Sequence, residues 1–206
     1  MTHLSLYDTE TREKKRVAPH DGHTIRMYTC GPTIYDFAHI GNFRTYVFED
    51  ILRRTLQFFG FPVQQAMNLT DIDDKTIRGA IAKHIPLKEY VEPYRNAFFE
   101  DLKALSIQPV EFYPAATDYI PDMIAIIEKL IEKGYAYKGE QGSVYFSIRS
   151  FPSYGRLSHL LSSELKLNAS GSNEADEYDK DNASDFVLWK QYDPFRDGKI
   201  FWESPF

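Results

Sequence analysis

One cysteine among 206 residues is the first limit on this chain. A single thiol closes no intramolecular disulfide and fits a reducing cytoplasm. Long apolar runs are missing too; none approaches the ~18 residues of a membrane span, so no membrane partner is expected. Residues 1–16 mix acidic and basic side chains without an apolar core, so neither a signal nor a transit peptide is suggested. Positive charge is in short supply: 24 Lys and Arg stand against 30 Asp and Glu, a net charge of −6. That balance argues against a general nucleic-acid binder, which neutralises phosphates with clustered cations, but leaves room for a local patch. The one short basic run, Arg12, Lys14, Lys15 and Arg16, reads as a solvated strand edge or turn. No internal repeat is present.

What is there suits one large domain or two small ones with ample core: 43% hydrophobic, 15% aromatic and 26% charged residues. Leu4 to Val17 reads as polar, strand-like structure. A turn at His20-Asp21-Gly22 leads to a strand over Thr24–Thr29. Phe43 to Phe59 predicts a helix, with Phe43, Val47, Phe48, Ile51, Leu52, Leu56 and Phe59 on one broad apolar face and Gly60 ending it. Pro62 to Leu69 predicts a second strand and completes a β-α-β unit. Helices follow over Asp71–Lys83 and Pro86–Leu105, then a strand-like or irregular connection over Pro109–Thr117. Tyr119–Lys133 predicts a further helix, capped by Thr117 or Asp118 and ended by Gly134. Ser143–Ile148 alternates like a strand, and the polar stretch Ser162–Ala183 reads as a loop.

The most informative stretch runs from Met27 to Asn42. It carries the lone Cys30 where a strand should end. It then passes through Gly31-Pro32 and an aromatic loop into His39-Ile40-Gly41-Asn42 at a helix entrance. In open α/β sheets, ligands sit beyond the carboxyl ends of strands against helix N-termini. An isolated cysteine is ordinarily a small buried hydrophobe, and an isolated histidine here a helix cap. Beside Gly41 at a helix start, His39 is read instead as a phosphate contact, with Gly41 letting a nucleotide ring approach the backbone. Asn42 falls on the same face of the turn and can donate a hydrogen bond without becoming cationic. Asp71, Asp73 and Asp74 suggest a magnesium site; for Asp73 and Asp74 the preferred reading is capping of the next helix. Tyr28, Tyr35, Phe37, Phe43 and Tyr46 are read as core and pocket wall rather than a base-stacking platform.

Three ordered segments carry a family resemblance. His39-Ile40-Gly41-Asn42 matches the His-Ile-Gly-His motif, with Asn42 in place of the second histidine. Asn68-Leu69-Thr70-Asp71-Ile72-Asp73-Asp74-Lys75 and the stretch from Ser158 to Lys190 are the others. Together with Cys30 they resemble the cysteinyl branch of the class I aminoacyl-tRNA synthetases over nearly the whole chain. The resemblance implies an α/β fold: a Rossmann-like half with parallel strands, followed by a smaller α+β insertion. It places the first half of the catalytic domain at residues 1–112 and a connective-peptide-like insertion, with the start of the return to the catalytic domain, at 113–206.

By the same resemblance His39 and Asn42 are catalytic, and His39, Gly41 and Asn42 bind ATP. Cys30, Gly31, Thr33, Thr70 and Trp202 line the amino-acid pocket; core packing explains Trp202 equally well. Cys30 is implied as one of four ligands of a single zinc ion, the others lying outside this chain. MgATP, L-cysteine and tRNA(Cys) are the implied substrates, and the complete enzyme is expected to be a monomer. The family's Lys-Met-Ser-Lys-Ser loop is missing from these residues, so the expectation is an N-terminal part that is inactive alone. Two other readings stay open: a ligase that transfers activated cysteine to a sugar amine in mycothiol biosynthesis, and a non-catalytic module that binds an amino acid, a nucleotide or RNA.

Overall fold

The computed structural model describes residues 3–159 and 185–206. In chain order the elements are β1 (Ser5–Asp8), β2 (Glu13–Arg16), β3 (Ile25–Thr29), α1 (Ile40–Phe58), β4 (Val63–Met67), α2 (Asp74–Lys83), α3 (Leu87–Ala104), α4 (Ile120–Glu132), β5 (Ala136–Lys138), β6 (Val144–Phe146), β7 (Phe186–Trp189) and α5 (Pro194–Asp197). Two compact units emerge. The first comprises Met1–Leu6, Arg16–Ile120 and Pro194–Ile200; the second comprises Tyr7–Lys15, Pro121–Asp193 and Phe201–Phe206. The loop expected over 162–183 lies outside the described residues, as does Glu174–Tyr178. No helix among the described residues is long and apolar enough to cross a membrane.

The first unit is built on a parallel pair. β3 and β4 align in register from Ile25 opposite Val63 to Thr29 opposite Met67. Parallel neighbours cannot be joined by a tight turn, and α1 supplies the crossover. The connection expected over 109–117 extends this sheet: Met67 N–H donates to the Phe112 carbonyl at 3.0 Å and Leu69 N–H to the Pro114 carbonyl at 2.8 Å. Ile34, Phe43, Met67, Leu69, Tyr90 and Phe98 pack in one buried cluster. The rings of Phe43, Tyr46 and Phe98 meet there at centroid separations of 5.4 to 6.4 Å.

Helix α1 departs from its expected orientation. It begins at Ile40, and its buried residues are Phe43, Tyr46, Glu49, Arg53 and Leu56. Val47, Phe48 and Ile51, expected inside, are exposed, as are Ile40 (83%) and Phe58 (87%). Apolar side chains therefore occupy two stripes of α1, and the one facing the core includes a carboxylate and a guanidinium. Periodicity alone found the apolar residues but could not tell which stripe faces the sheet.

The buried cation is accommodated by a dedicated network. Arg53 makes a two-point contact with Glu111, at 3.1 and 2.6 Å, and Glu111 also accepts the Gln65 backbone N–H at 2.7 Å. Gln65 Nε2 donates to Thr29 Oγ1 at 3.1 Å. Burial pushes the Glu111 carboxyl up, but the Arg53 and Gln65 hydrogen bonds prevail and hold it below the ordinary carboxylate value. The network ties α1, both strands and the 109–117 segment together.

The second unit holds a three-stranded antiparallel sheet in the order β5-β6-β7. Val144, Ala136 and Ile127 form its core, with Leu130, Leu188 and Trp189 packed against them. Asp185, at the entrance to β7, is buried and accepts the Tyr137 hydroxyl at 3.0 Å and the Ile148 N–H at 2.9 Å. Of the two residues expected to cap α4, Thr117 is engaged elsewhere. A 3-10 turn over Ala116–Tyr119, itself without a side-chain cap at Ala115, leads into the helix, and the Thr117 hydroxyl donates to Asp71.

Removing Arg53 leaves the buried ends of Gln65 and Glu111 without their cation. Arg53→Ala should lower stability by roughly 3 kcal/mol, the low end for breaking a buried pair because Glu111 retains contact with water. Arg54→Ala, which breaks the half-exposed pair with Asp50 at 2.6 Å and the hydrogen bond to the Ser106 carbonyl at 2.7 Å, should cost less, about 1 kcal/mol. Urea denaturation of both variants checks the ordering.

Candidate active site

Past Thr29 and Met67 the two strands fall out of step. Thr33 pairs next with Thr70, so Cys30, Gly31 and Pro32 stand opposite only Asn68 and Leu69. Three residues against two make a bulge, which re-aims side chains at a strand end. Cys30 is turned out and exposed. Among the described residues its Sγ makes one long hydrogen bond, 3.7 Å to the Gly31 carbonyl. Two backbone hydrogen bonds re-establish the ladder: Thr70 N–H to the Pro32 carbonyl and Ile34 N–H to the Thr70 carbonyl, each 2.9 Å. Gly31, Thr33 and Thr70 are thereby brought to one strand end.

His39 caps α1. Its Nδ1 accepts the Gly41 N–H at 3.0 Å, and its own N–H donates to Asn42 Oδ1 at 3.0 Å. The reading of His39 as a cap is realised, and it leaves the second ring nitrogen available. With Nδ1 accepting, the neutral imidazole carries its proton on Nε2, a donor not used by the cap. Gly41 has a steric reason to be glycine, since a Cβ there would stand 2.8 Å from His39 Cε1. Asn42 is half-buried, and its side-chain oxygen serves the cap.

Between the bulge and the cap lies a cleft of about 280 Å³, lined by the loop from Gly31 through His39, by Asn42 and Tyr46 of α1, and by Tyr94 and Phe98 of α3. Gly31, Thr33, His39 and Asn42 thus share one cleft. Cys30, Gly41 and Thr70 belong to its flanking segments, and Trp202 is a half-buried residue of the second unit. The loop is held from outside by the Tyr90 hydroxyl, which donates to the Tyr35 carbonyl at 2.8 Å. Phe37 packs edge-on against Tyr94 at 5.1 Å. Burial, then the charges of Glu49 and Cys30, push the Tyr46 phenol up to about 12, so it remains neutral at physiological pH.

The three aspartates take separate structural roles. Asp73 caps α2, accepting the Lys75 N–H at 2.7 Å, and Asp74 lies in the first turn. Asp71 accepts the Thr117 N–H at 3.0 Å. No group of three His, Cys, Asp or Glu side chains able to hold a metal exists among the described residues. Tyr94 and Phe98 gave no signal in the sequence, because their place in the cleft depends on how α3 packs.

The catalytic-domain model described as "tRNA synthetases class I (C)" matches residues 16–206. The chain belongs to this family. It is 62% identical over 203 residues to the cysteine–tRNA ligase of Protochlamydia amoebophila, covering 98% of this chain and 42% of that protein. Its identity to the Chlamydia pneumoniae protein of the same name is 60% over 204 residues, with the same two coverages. The chain thus spans less than half the length of these curated relatives. In fold, Mycobacterium tuberculosis methionyl-tRNA synthetase, solved with methionyl-adenylate, superposes with a TM-score of 0.50 at 16% identity. That match covers 62% of this chain and 25% of that structure. The parallel, Rossmann-like α/β reading of the class I synthetase holds for the chain.

Behind the cleft, Glu49 is buried with Oε2 unpartnered. Burial raises its carboxyl above the ordinary 4.5, opposed by a hydrogen bond from the Thr29 side chain. The folded chain therefore holds this proton more tightly than the unfolded chain. Its contribution to stability declines as pH rises from about 4.5 and levels off above the raised folded value. Glu49→Gln should flatten that part of the profile and leave stability below the unfolded value unaffected by titration here. Urea midpoints across pH 4–8, compared between the two proteins, measure the difference.

Proposed function

We propose that the chain is the N-terminal part of an enzyme that activates L-cysteine with MgATP to cysteinyl-adenylate and transfers cysteine to the 3′ end of tRNA(Cys). The observation that carries the reading is a cleft running from Gly31 of the bulge to the His39 cap, in a chain 62% identical to a cysteine–tRNA ligase. In this reading residues 1–112 form the first half of the catalytic domain, and residues 113–206 an insertion with the start of the return. The chain spans 42% of its relatives, so the activity is assigned to the longer polypeptide, a monomer of the reducing cytoplasm. The isolated 206 residues should show no pyrophosphate exchange.

The chain's own residues account for much of the activation step. His39 presents Nε2–H beside the N-terminus of α1. The two donors can stabilise negative charge that grows on the α-phosphate of ATP. Gly41 keeps the helix entrance free of side chain. Asn42 fixes the cap and hence the imidazole orientation. Thr70, Gly31 and Thr33 receive the amino group of cysteine at the strand end. Alignment of carboxylate and α-phosphate, rather than covalent catalysis, supplies most of the acceleration.

Zinc is the cofactor of this reading. Cys30 suits one ligand position, because its thiol is exposed and only weakly engaged. The remaining ligands are assigned to the rest of the polypeptide. When bound, the metal favours a thiolate over serine's hydroxyl, a harder and less acidic ligand. Apolar pockets separate near-isosteres by only roughly two orders of magnitude.

In the full-length polypeptide Cys30→Ala should reduce both zinc content and cysteine-dependent ATP–pyrophosphate exchange; wild-type values for both would sink the assignment. His39→Ala should lower the rate of adenylate formation by on the order of 10²–10³, the scale for one preorganised donor. Asn42→Ala should cost less. A sharply lower melting temperature with unchanged activation by His39→Ala would reduce the histidine to a cap alone.

A further inference from the structure

The bulge leaves a backbone donor without a ladder partner. Among the described residues Gly31 N–H meets no main-chain acceptor, and it donates instead to the side chain of Asn68, at 3.0 Å to Oδ1. The other end of the same amide reaches Thr70: Asn68 Nδ2 lies 3.1 Å from Thr70 Oγ1. The orientation of the amide is forced, because a backbone N–H can only donate and so faces the oxygen. Nδ2 is then the donor to Thr70. One lone pair of the Thr70 hydroxyl is occupied, leaving one lone pair and the hydroxyl hydrogen for a ligand. The two segments meet too closely for any other residue at Gly31, where a Cβ would fall 1.8 Å from the Asn68 carbonyl oxygen.

We propose that Asn68 is a positioning residue of the site, holding the Cys30–Gly31 bulge and the Thr70 hydroxyl in fixed relation through one amide. It touches no reacting atom; it acts through Gly31 and Thr70. The consequence for substrate, which rests on the cysteine-activating reading above, is that Asn68 sets the binding of the amino acid and leaves that of ATP alone. The sequence offers a hint in retrospect, since asparagine is a poor strand former whose side chain competes for backbone groups.

The first measurement is made on the 206-residue chain and needs no activity. Asn68→Ala should speed amide hydrogen exchange at Gly31 about tenfold, the scale of one lost hydrogen bond. Asn68→Asp keeps an acceptor for Gly31 and should restore near-wild-type exchange. Unchanged exchange with alanine overturns the proposal. So does lost protection with aspartate, and this second variant decides the matter if the first does not fold. In the full-length polypeptide, Asn68→Ala should raise KM for cysteine in pyrophosphate exchange about tenfold, with KM for ATP unchanged. Equal increases in both overturn the substrate assignment. Absence of exchange by the unsubstituted protein would refute the synthetase reading while leaving the Gly31 result to judge Asn68.

Discussion

Everything in the first unit is arranged around the parallel pairing of β3 with β4, and around its loss of step at Cys30. Parallel strands demand a crossover helix, which places the start of α1 after the strand end. Had the register continued past Thr29 opposite Met67, the side chains of the next residues would have stayed within the regular alternation of the sheet. Instead, three residues pass two. The bulge exposes the thiol and returns the chain to the ladder at Thr33. A cleft then opens between that point and the helix entrance.

Polar groups hold this arrangement where apolar packing alone would leave it loose. Arg53, Glu111, Gln65 and Thr29 link the helix to three strand-like segments through hydrogen bonds of 2.6 to 3.1 Å. Such a network is stabilising only when each member has its partner, because an orphaned buried charge costs several kcal/mol. Two atoms here are buried without a partner among the described residues, Glu49 Oε2 beside the network and Arg53 Nε within it, and burial raises the Glu49 carboxyl above its ordinary value. The same helix leaves Ile40, Val47, Phe48, Ile51 and Phe58 exposed. That is a larger apolar stripe than a solvent-facing helix ordinarily carries.

The helix entrance shows that a structural and a chemical role need not compete. One imidazole nitrogen is spent on the cap, which satisfies an otherwise free helix N–H. The cap in turn fixes the ring and leaves the proton on the other nitrogen. Asn42 supports this through its side-chain oxygen, a job the neutral amide does without any cationic form. The replacement of the usual histidine by Asn42 is therefore compatible with the same local geometry.

Local chemistry made much of this legible in the sequence. The two strands, α1, the helices either side of Pro86, and the glycine ends at Gly60 and Gly134 follow from periodicity and turn chemistry. The preference for Asp73 as a cap follows from its place before a helix. The motif residues from Cys30 to Asn42 announce a strand end facing a helix start, because their order and spacing are local. Tertiary structure alone decided what depends on partners distant in the chain. It chose which stripe of α1 faces the sheet, since Arg53 can be buried only where Glu111 meets it from 58 residues away. It diverted Thr117 from capping α4 to Asp71, brought Tyr94 and Phe98 to the cleft, and set Asn68 against Gly31. Periodicity reports the chemistry of a side chain; only the fold supplies the partner that makes its position affordable.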